Sequence, residues 1–470
     1  ITKIIINFNK RLVRFLNIIK YITEVTLKEE VEIELTGDTI LNLPHNLFYQ
    51  NIENELLVIS QNTANWIVLF NDEQKKILNL LINKHTLQEI SEITNNEDFN
   101  FVISQIIDRD FLENQPIEFN LPQNEGLYIY LTNDCNLSCT HCYMYSGKPK
   151  INELDKEEWF KIILNAKNNG IKSITFTGGE VLQHKDWFEI IKFTKENEIT
   201  VTILTNGILW NKDKIEQSKN YIDELQISLD GTNEQINSII RGNGNFLKAL
   251  ENIKLFVKAG VKTVIATTPT LENIKEIEKT YINFAKQLLE ELNSENLYFK
   301  ISQKLITGRK VNALIKEKAK EYSDITNKLA NSLYPNYSIK NFINNMSKGQ
   351  GMKNCGYGGI SISSDGKFYI CNRVEDLEPI ATKNEDFEKI MKDANYYYEI
   401  TSVDNVIPCR NCELKYICGG GCRIDEYYYR GNQNKIEKDK PLIKISCDDE
   451  YKNNIYKKLI ASIKYTYEIK

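Results

Sequence analysis

Residues 131–144 read Leu131-Thr132-Asn133-Asp134-Cys135-Asn136-Leu137-Ser138-Cys139-Thr140-His141-Cys142-Tyr143-Met144 and place three thiols, Cys135, Cys139 and Cys142, on one short loop. A C-x3-C-x2-C loop is too short to wrap four tetrahedral ligands around one ion, but three thiolates on a tight turn can hold three corners of an iron–sulfur cube. The fourth iron is then open. An open iron on a low-potential cluster binds and reduces a cofactor, whereas a closed one only passes electrons. Taken alone, the triad also fits a structural zinc loop.

Outward from this loop, the hydrophobic period predicts strand, helix, strand, helix. Candidate strands are Leu127 to Thr132, Ser173 to Thr177, Thr200 to Thr205, Glu224 to Asp230, Lys262 to Thr268 and Asn296 to Ile301. Amphipathic helices separate them, as in Trp159, Ile162, Ile163 and Ala166 at i, i+3, i+4 and i+7. Six βα units predict a parallel sheet, and six are too few for a closed eight-fold barrel. Ligands of such folds bind at the carboxyl ends of the strands. After the second strand comes Thr177-Gly178-Gly179-Glu180, whose glycines let a backbone approach a ligand closely and whose carboxylate can accept from an ammonium. Thr205-Asn206-Gly207 and Ser228-Leu229-Asp230-Gly231 follow the third and fourth strands and, taken singly, also read as capped turns.

The remaining cysteines, of 10 in all, run Cys355, Cys371, Cys409-x2-Cys412-x5-Cys418-x3-Cys422 and Cys447, with Gly366 between the first two. They avoid the first 134 residues and fall in groups, which is cluster-ligand behaviour more than a disulfide framework and favours a reducing, cytoplasmic setting. A Cys/His zinc protein is hard to assemble from 4 histidines, three of them outside the cysteine groups. Net charge is −5, so no broad basic surface for nucleic acid is expected. Every apolar run is broken short of about 18 residues, which predicts no integral membrane association.

Residues 1–35 hold an amphipathic pattern, Ile5, Phe8, Leu12, Phe15 and Ile19, read as a helix docked on its own protein, with a membrane-surface helix as the alternative, and too interrupted for a signal peptide. Residues 36–118 change to short strands and then helices. Leu56 to Ser60 and Trp66 to Phe70 read as a strand pair. A helix begins near Asn71, a second opens on a Thr86/Glu89 capping box, and a third shows Phe99, Val102, Ile103 and Ile106 on one face. This is a winged-helix-like α+β pattern. Glu89, Glu92, Glu97 and Asp98 on its helices would face phosphates badly. Residues 303–350 are Lys- and Asn-rich, carry no motif and read as a helical bridge.

The cysteine spacing, with an aromatic His141 just before the third cysteine, resembles the signature of the radical S-adenosylmethionine (SAM) enzymes. The resemblance implies a partial (βα)6 barrel over residues 119–302, with Cys135, Cys139 and Cys142 on a [4Fe-4S] cluster that binds SAM. By position, His141, Gly178, Gly179, Glu180, Asn206, Ser228 and Asp230 correspond to SAM contacts, and Arg241 to a partner of the SAM carboxylate. The later cysteines resemble the SPASM domain of peptide-modifying members, here residues 351–470. Carried over, Cys409, Cys412, Cys418 and Cys447 would hold one auxiliary [4Fe-4S] cluster, and Cys355, Cys371 and Cys422 another, for three in all. Some members place an eighth cysteine before the first, and residues 143–354 contain none, so the second auxiliary cluster would have an open iron or a non-cysteine ligand.

By pattern, residues 36–118 resemble the element that recognises the leader of a ribosomal precursor peptide through strand addition. The implied activity is a maturase that takes hydrogen from the peptide through a 5′-deoxyadenosyl radical and installs a thioether or carbon–carbon cross-link, with flavodoxin or ferredoxin as electron donor. Peptide epimerisation and a sulfatase-type maturase are the alternatives within the class. Outside it stand an iron–sulfur electron carrier or peptide-escort module, and a zinc-binding winged-helix regulator, which would need basic recognition-helix residues that are not seen. No residue emerges as a general base.

Overall fold

The computed structural model describes residues 35–113, 117–119, 125–334, 339, 340, 343, 350–428, 440–445 and 447–469. The amphipathic segment expected in residues 1–35 lies outside the described residues, except for Leu35.

Three short strands come first, β1 (Leu47–Ile52), β2 (Glu55–Ser60) and β3 (Trp66–Leu69), in an antiparallel sheet of order β1-β2-β3. Helices α1 (Asp72–Ile82), α2 (Leu87–Ile93) and α3 (Asn96–Asp108) follow. Each starts where a side chain satisfies a free backbone N–H: Asn71 accepts from Gln74, Thr86 and Glu89 form a reciprocal capping box, and Asn95 accepts from Asp98. Alternation along β2 and β3 sends Val58, Ile67 and Leu69 toward the helices, against Phe99, Val102 and Ile106. The opposite face, Leu57, Ile59, Trp66 and Val68, packs on Tyr456, Leu459, Ile460 and Ile463 near the C-terminus. Each such buried apolar side chain is worth roughly 1.5–3 kcal/mol. Residues 36–118 therefore share a core with the C-terminal region and do not stand apart from it.

After the two-residue strand β4 (Glu118–Phe119) comes the main sheet. It is built from β5 (Gly126–Thr132), α4 (Lys156–Asn168), β6 (Ser173–Gly178), α5 (Trp187–Glu196), β7 (Thr200–Thr205), α6 (Lys212–Ser218), β8 (Glu224–Ser228), α7 (Glu234–Arg241), α8 (Phe246–Lys258), β9 (Lys262–Thr267), α9 (Ile274–Leu292) and β10 (Leu297–Ile301), followed by α10 (Lys316–Leu333). The six strands lie parallel in the order β10-β9-β8-β7-β6-β5, so the sheet is open. Burial alternates along β6, β7 and β8. Ile174, Phe176, Val201, Ile203, Leu225 and Ile227 are fully buried in one core with Trp159, Ile163, Ile191 and Phe256 of the helices. The other face carries Thr175, Thr177, Thr202, Gln226 and Ser228, all only half-buried. A parallel sheet covered by helices on both faces would read apolar throughout. Along β6, β7 and β8 the second face is instead polar and only half-buried, and it ends at the loops that carry the site.

Two features depart from the sequence reading. Residues 302–315 are not helical; they form an extended strap, and α10 begins only at Lys316. The reason is local, since Gly308 pairs with Val311 in a tight bridge and its backbone crosses that of His141. The second concerns residues 351–470, read as a separate unit. After β11 (Gln350–Gly351), which pairs with β4, strand β12 (Ile360–Ile362) adds parallel to β5, and β13 (Lys367–Tyr369) and β14 (Ala381–Thr382) continue the same sheet. Helices α11 (Phe387–Ile400) and α12 (Lys415–Cys418), strands β15 (Tyr427–Tyr428) and β16 (Ile443–Lys444), and helix α13 (Asp449–Thr466) complete the chain. Among the described residues no helix is long and apolar enough to cross a membrane.

Candidate functional site

Cys135, Cys139 and Cys142 sit on the loop that leaves the carboxyl end of β5. Two neighbouring segments fix its course. From β6, the N–H of Gly179 donates to the carbonyl of Thr132 and that of Glu180 to the carbonyl of Asp134, both at 2.8 Å. A methyl group at Gly179 would lie 2.1 Å from the Asp134 carbonyl oxygen, and one at Gly178, where φ is +137°, 2.3 Å from that of Thr132. The two glycines let the two backbones come into contact. Glu153 binds the same entry, accepting from Thr132 Oγ1 at 2.7 Å and Asn133 N at 2.6 Å.

From the other side comes the strap. The N–H groups of Arg309 and Lys310 donate to the carbonyls of Cys142 (3.0 Å) and Thr140 (2.7 Å). The Arg309 guanidinium donates to Ser138 Oγ (2.9 Å), the Cys139 carbonyl (3.2 Å) and the Ser146 carbonyl. Neither Glu153 nor Arg309 emerged from the sequence. The available signal was Thr307-Gly308-Arg309, a turn-forming glycine beside a cation just past the last strand.

Glu180 is fully buried. Its carboxylate accepts from Thr205 Oγ1 (2.6 Å), Asn206 N (2.8 Å) and Leu182 N (3.4 Å), which ties the end of β6 to that of β7. Burial raises its pKa, opposed by the hydrogen bonds from Thr205 and Asn206. Asn206 turns its amide to Asn136 Oδ1 (2.8 Å), with Cys135 Sγ at 4.0 Å.

Asp230, also fully buried, is the hub of the ends of β8 and β9. Its Oδ2 meets Arg241 Nε at 2.7 Å and His141 Nε2 at 2.9 Å, and its Oδ1 accepts from Thr268 N at 2.7 Å. Burial pushes the carboxyl pKa up, but Arg241 and then His141 more than offset it, so the group stays below its usual range. Arg241 Nη1 also points at Cys139 Sγ, 3.8 Å away. Ser228 ends β8, half-buried, on the polar face.

The later cysteines gather in two places. Cys409, Cys412, Cys418 and Cys447 line a single small cavity, together with Leu414, Lys444, Tyr451, Lys452 and Ile455. Cys355, Cys371 and Cys422 share one neighbourhood, in which Cys371 is electrostatically coupled to the other two. Burial pushes the Cys135 and Cys371 thiols up to about 11 and that of Cys412 to about 12, and moves Cys139, Cys422 and Cys447 the same way. Such thiols keep their protons at neutral pH unless bound metal displaces them. Among the described residues no three His, Cys, Asp or Glu side chains converge tightly enough for one metal ion. A four-iron cube instead takes its thiolates at separate corners, which these all-sulfur groups suit.

Residues 129–282, which carry the open parallel sheet and the cysteine loop, match the model of the radical SAM superfamily. Among curated proteins the chain is similar to the sporulation killing factor maturation protein SkfB of Bacillus subtilis strain 168, with 30% identity over 150 residues, 32% of this chain and 37% of that protein. It is similar as well to the antilisterial bacteriocin subtilosin biosynthesis protein AlbA of the same strain, with 32% identity over 150 residues, 31% and 34% of the two chains. The match thus spans about a third of the length of these relatives. Among solved structures, native anSMEcpe with bound AdoMet has the same fold, with a TM-score of 0.54 and 19% identity over 73% of this chain and 100% of that one.

Proposed function

We propose that this chain is a radical SAM enzyme that cross-links a ribosomally made precursor peptide. The observation that carries the reading is the assembly of three all-cysteine groups in one chain, the first of them on the carboxyl end of a radical SAM sheet. Cys135, Cys139 and Cys142 would hold the cluster that binds SAM. Cys409, Cys412, Cys418 and Cys447, and Cys355, Cys371 and Cys422, would hold two auxiliary clusters of a SPASM-type extension. When bound, the first cluster and SAM supply one-electron reduction and a radical that takes hydrogen from an unactivated carbon.

The chain's own residues hold that site in place. Gly178, Gly179, Glu153 and Arg309 fix the cysteine loop from both sides. Glu180 acts as a positioning residue that locks the ends of β6 and β7; the ammonium contact expected of it would have to add to a carboxylate already accepting three hydrogen bonds. Asp230 orients His141 and Arg241, and Arg241 places its positive charge beside Cys139, where it balances a thiolate. That commitment weighs against its expected role as partner of the SAM carboxylate. Asn206 and Ser228 remain SAM-contact candidates at strand ends. The strap of residues 302–315 braces the loop through the Arg309 and Lys310 backbone and the Arg309 side chain.

A peptide substrate is supported by the names of SkfB and AlbA, a maturation and a bacteriocin biosynthesis protein. It is supported too by a small antiparallel sheet at the start of the chain, which suits leader recognition by strand addition. Of its two outer strands, β3 is engaged at Val68, whose N–H and carbonyl both bond to the Gln105 side chain at 2.9 Å, whereas β1 has no strand beyond it among the described residues. Cross-linking is favoured over epimerisation because epimerisation needs a hydrogen returned to the peptide, most easily by a thiol, and all ten cysteines belong to the three groups. The electron donor would be a small redox protein such as flavodoxin or ferredoxin.

The test is mass spectrometry of the precursor peptide encoded beside this gene, after anaerobic incubation with SAM and a reductant. A loss of two hydrogens per event supports cross-linking. An unchanged mass, with one deuterium gained in heavy water, establishes epimerisation and defeats the cross-linking reading.

A further inference from the structure

The four-thiol cavity carries a feature that its cysteine spacing does not require. Two tyrosine hydroxyls reach two different sulfurs: Tyr451, on the first turn of α13, approaches Cys418 Sγ at 3.4 Å, and Tyr427, on β15, approaches Cys409 Sγ at 3.5 Å. Tyr427 and Cys409 are both buried. The Tyr427 hydroxyl also donates to the Gly420 carbonyl at 2.6 Å, and that carbonyl takes a second hydrogen bond from Lys444 Nζ at 2.7 Å.

The proton count at Cys409 depends on ligation. As a free thiol its S–H can donate to the Tyr427 oxygen. As a metal ligand it has lost that proton and becomes an acceptor bearing negative charge. Tyr427 then chooses between a neutral carbonyl already served by Lys444 and a charged sulfur. Charge-assisted hydrogen bonds are shorter and roughly twice as strong as neutral ones, which favours the sulfur. At Cys418 the Tyr451 hydroxyl makes the corresponding contact from a separate element.

We propose, resting on the auxiliary-cluster reading above, that Tyr427 and Tyr451 donate hydrogen bonds to the ligand sulfurs of the four-thiolate cluster and raise its reduction potential. The reasoning is electrostatic. One-electron reduction adds negative charge that is shared with the ligand sulfurs, a donor to sulfur stabilises the reduced form more than the oxidised one, and the equilibrium shifts toward reduction. No atom is transferred; the electron comes from the external reductant. The two tyrosines are positioning residues for the redox centre and touch no reacting carbon.

The experiment uses the full-length chain, reconstituted anaerobically with iron and sulfide, and the variants Tyr451→Phe and Tyr427→Phe, which remove one oxygen each. Iron and sulfide are counted first. Twelve irons per wild-type chain, as expected for three cubes, support the underlying reading; a chain that takes up only four overturns that reading and this proposal with it. Midpoint potentials are then followed by electron paramagnetic resonance during a dithionite titration. Each substitution is expected to move one midpoint downward, corresponding to about a tenfold change in the reduction equilibrium, or 59 mV for one electron, and to leave the others in place. Full iron content with all midpoints unmoved in both variants would overturn the proposal while leaving the clusters intact. Should Tyr427→Phe fail to load iron because its buried hydroxyl also anchors Gly420, Tyr451→Phe decides alone.

Discussion

Replacing Asp230 with Asn tests whether one buried carboxylate organises the site. The substitution keeps the shape and leaves an oxygen for Thr268 N, but it presents a neutral amide to a guanidinium 2.7 Å away and an imidazole 2.9 Å away. The aspartate side chain is 0% exposed and that of Arg241 10%, so water screens little of the interaction. Removing one partner of such a pair leaves a buried charge uncompensated, at a cost of about 3–5 kcal/mol. The urea midpoint should fall by that loss divided by the slope, which for a chain of this size is above the roughly 1–3 kcal/mol per molar of small proteins, so by about 0.5–1 M.

The assay is urea titration of the metal-free chain under reducing conditions, followed by tryptophan fluorescence. Arg241→Met combined with Asp230→Leu should recover at least half of the loss, because removing both charges relieves the desolvation that one alone cannot bear. The pH dependence has a definite sign. The Asp230 pKa is lowered in the folded chain, so its contribution is present above the unfolded carboxylate value near 4 and is lost as pH falls through the folded one. The difference between wild type and Asp230→Asn should therefore shrink as pH falls below about 4. A loss under about 1 kcal/mol, the size expected of an exposed pair, would refute the reasoning.

Three further outcomes are expected. Gly179→Ala forces a methyl to within 2.1 Å of a backbone oxygen that cannot rotate away; overpacking plus two weakened backbone hydrogen bonds should cost about 3–5 kcal/mol, read as a lower urea midpoint with reduced iron uptake. Arg309→Ala removes the three side-chain bonds that hold the cysteine loop from the strap, so hydrogen exchange over residues 135–147 should rise by at least tenfold while that of β6 and β7 stays unchanged. Trp66→Ala, at a side chain 1% exposed whose Nε1 donates to the Leu459 carbonyl at 3.3 Å, should cost about 3–5 kcal/mol and expose α13 to proteolysis.

Much of the framework was legible because its signals are local. The six parallel strands begin and end within two residues of their hydrophobic segments, and Asn71 and the Thr86/Glu89 box start helices as their chemistry dictates. The resemblance of the later cysteines to the SPASM pattern, not their spacing alone, implied a set at Cys409, Cys412, Cys418 and Cys447, and these four thiols line one cavity. What the sequence hid were meetings between distant segments. Residues 302–315 carry no pattern that names their partner, and only Gly308 hints that they turn back over His141. The hydrogen bonds that hold Glu180 come from Thr205 and Asn206, a strand away, and so were not legible locally. The docking of the first sheet on α13 did leave a trace: Leu56-Leu57-Val58-Ile59 is a continuous apolar run, as expected of a strand covered on both faces. The addition of β12 to β5 left none, since a three-residue strand carries too little pattern to name its partner.

The central claim, that the cysteine loop supports radical SAM chemistry, is tested most directly by chromatographic measurement of 5′-deoxyadenosine. The anaerobically reconstituted chain is incubated with SAM and dithionite, beside a variant carrying Cys135→Ala, Cys139→Ala and Cys142→Ala. The account predicts 5′-deoxyadenosine and methionine in equal amounts from the wild-type chain, none above background from the variant, and a fall of about one third in the variant's iron. Undiminished 5′-deoxyadenosine from the variant, or none from a wild-type chain with its full iron content, would contradict it.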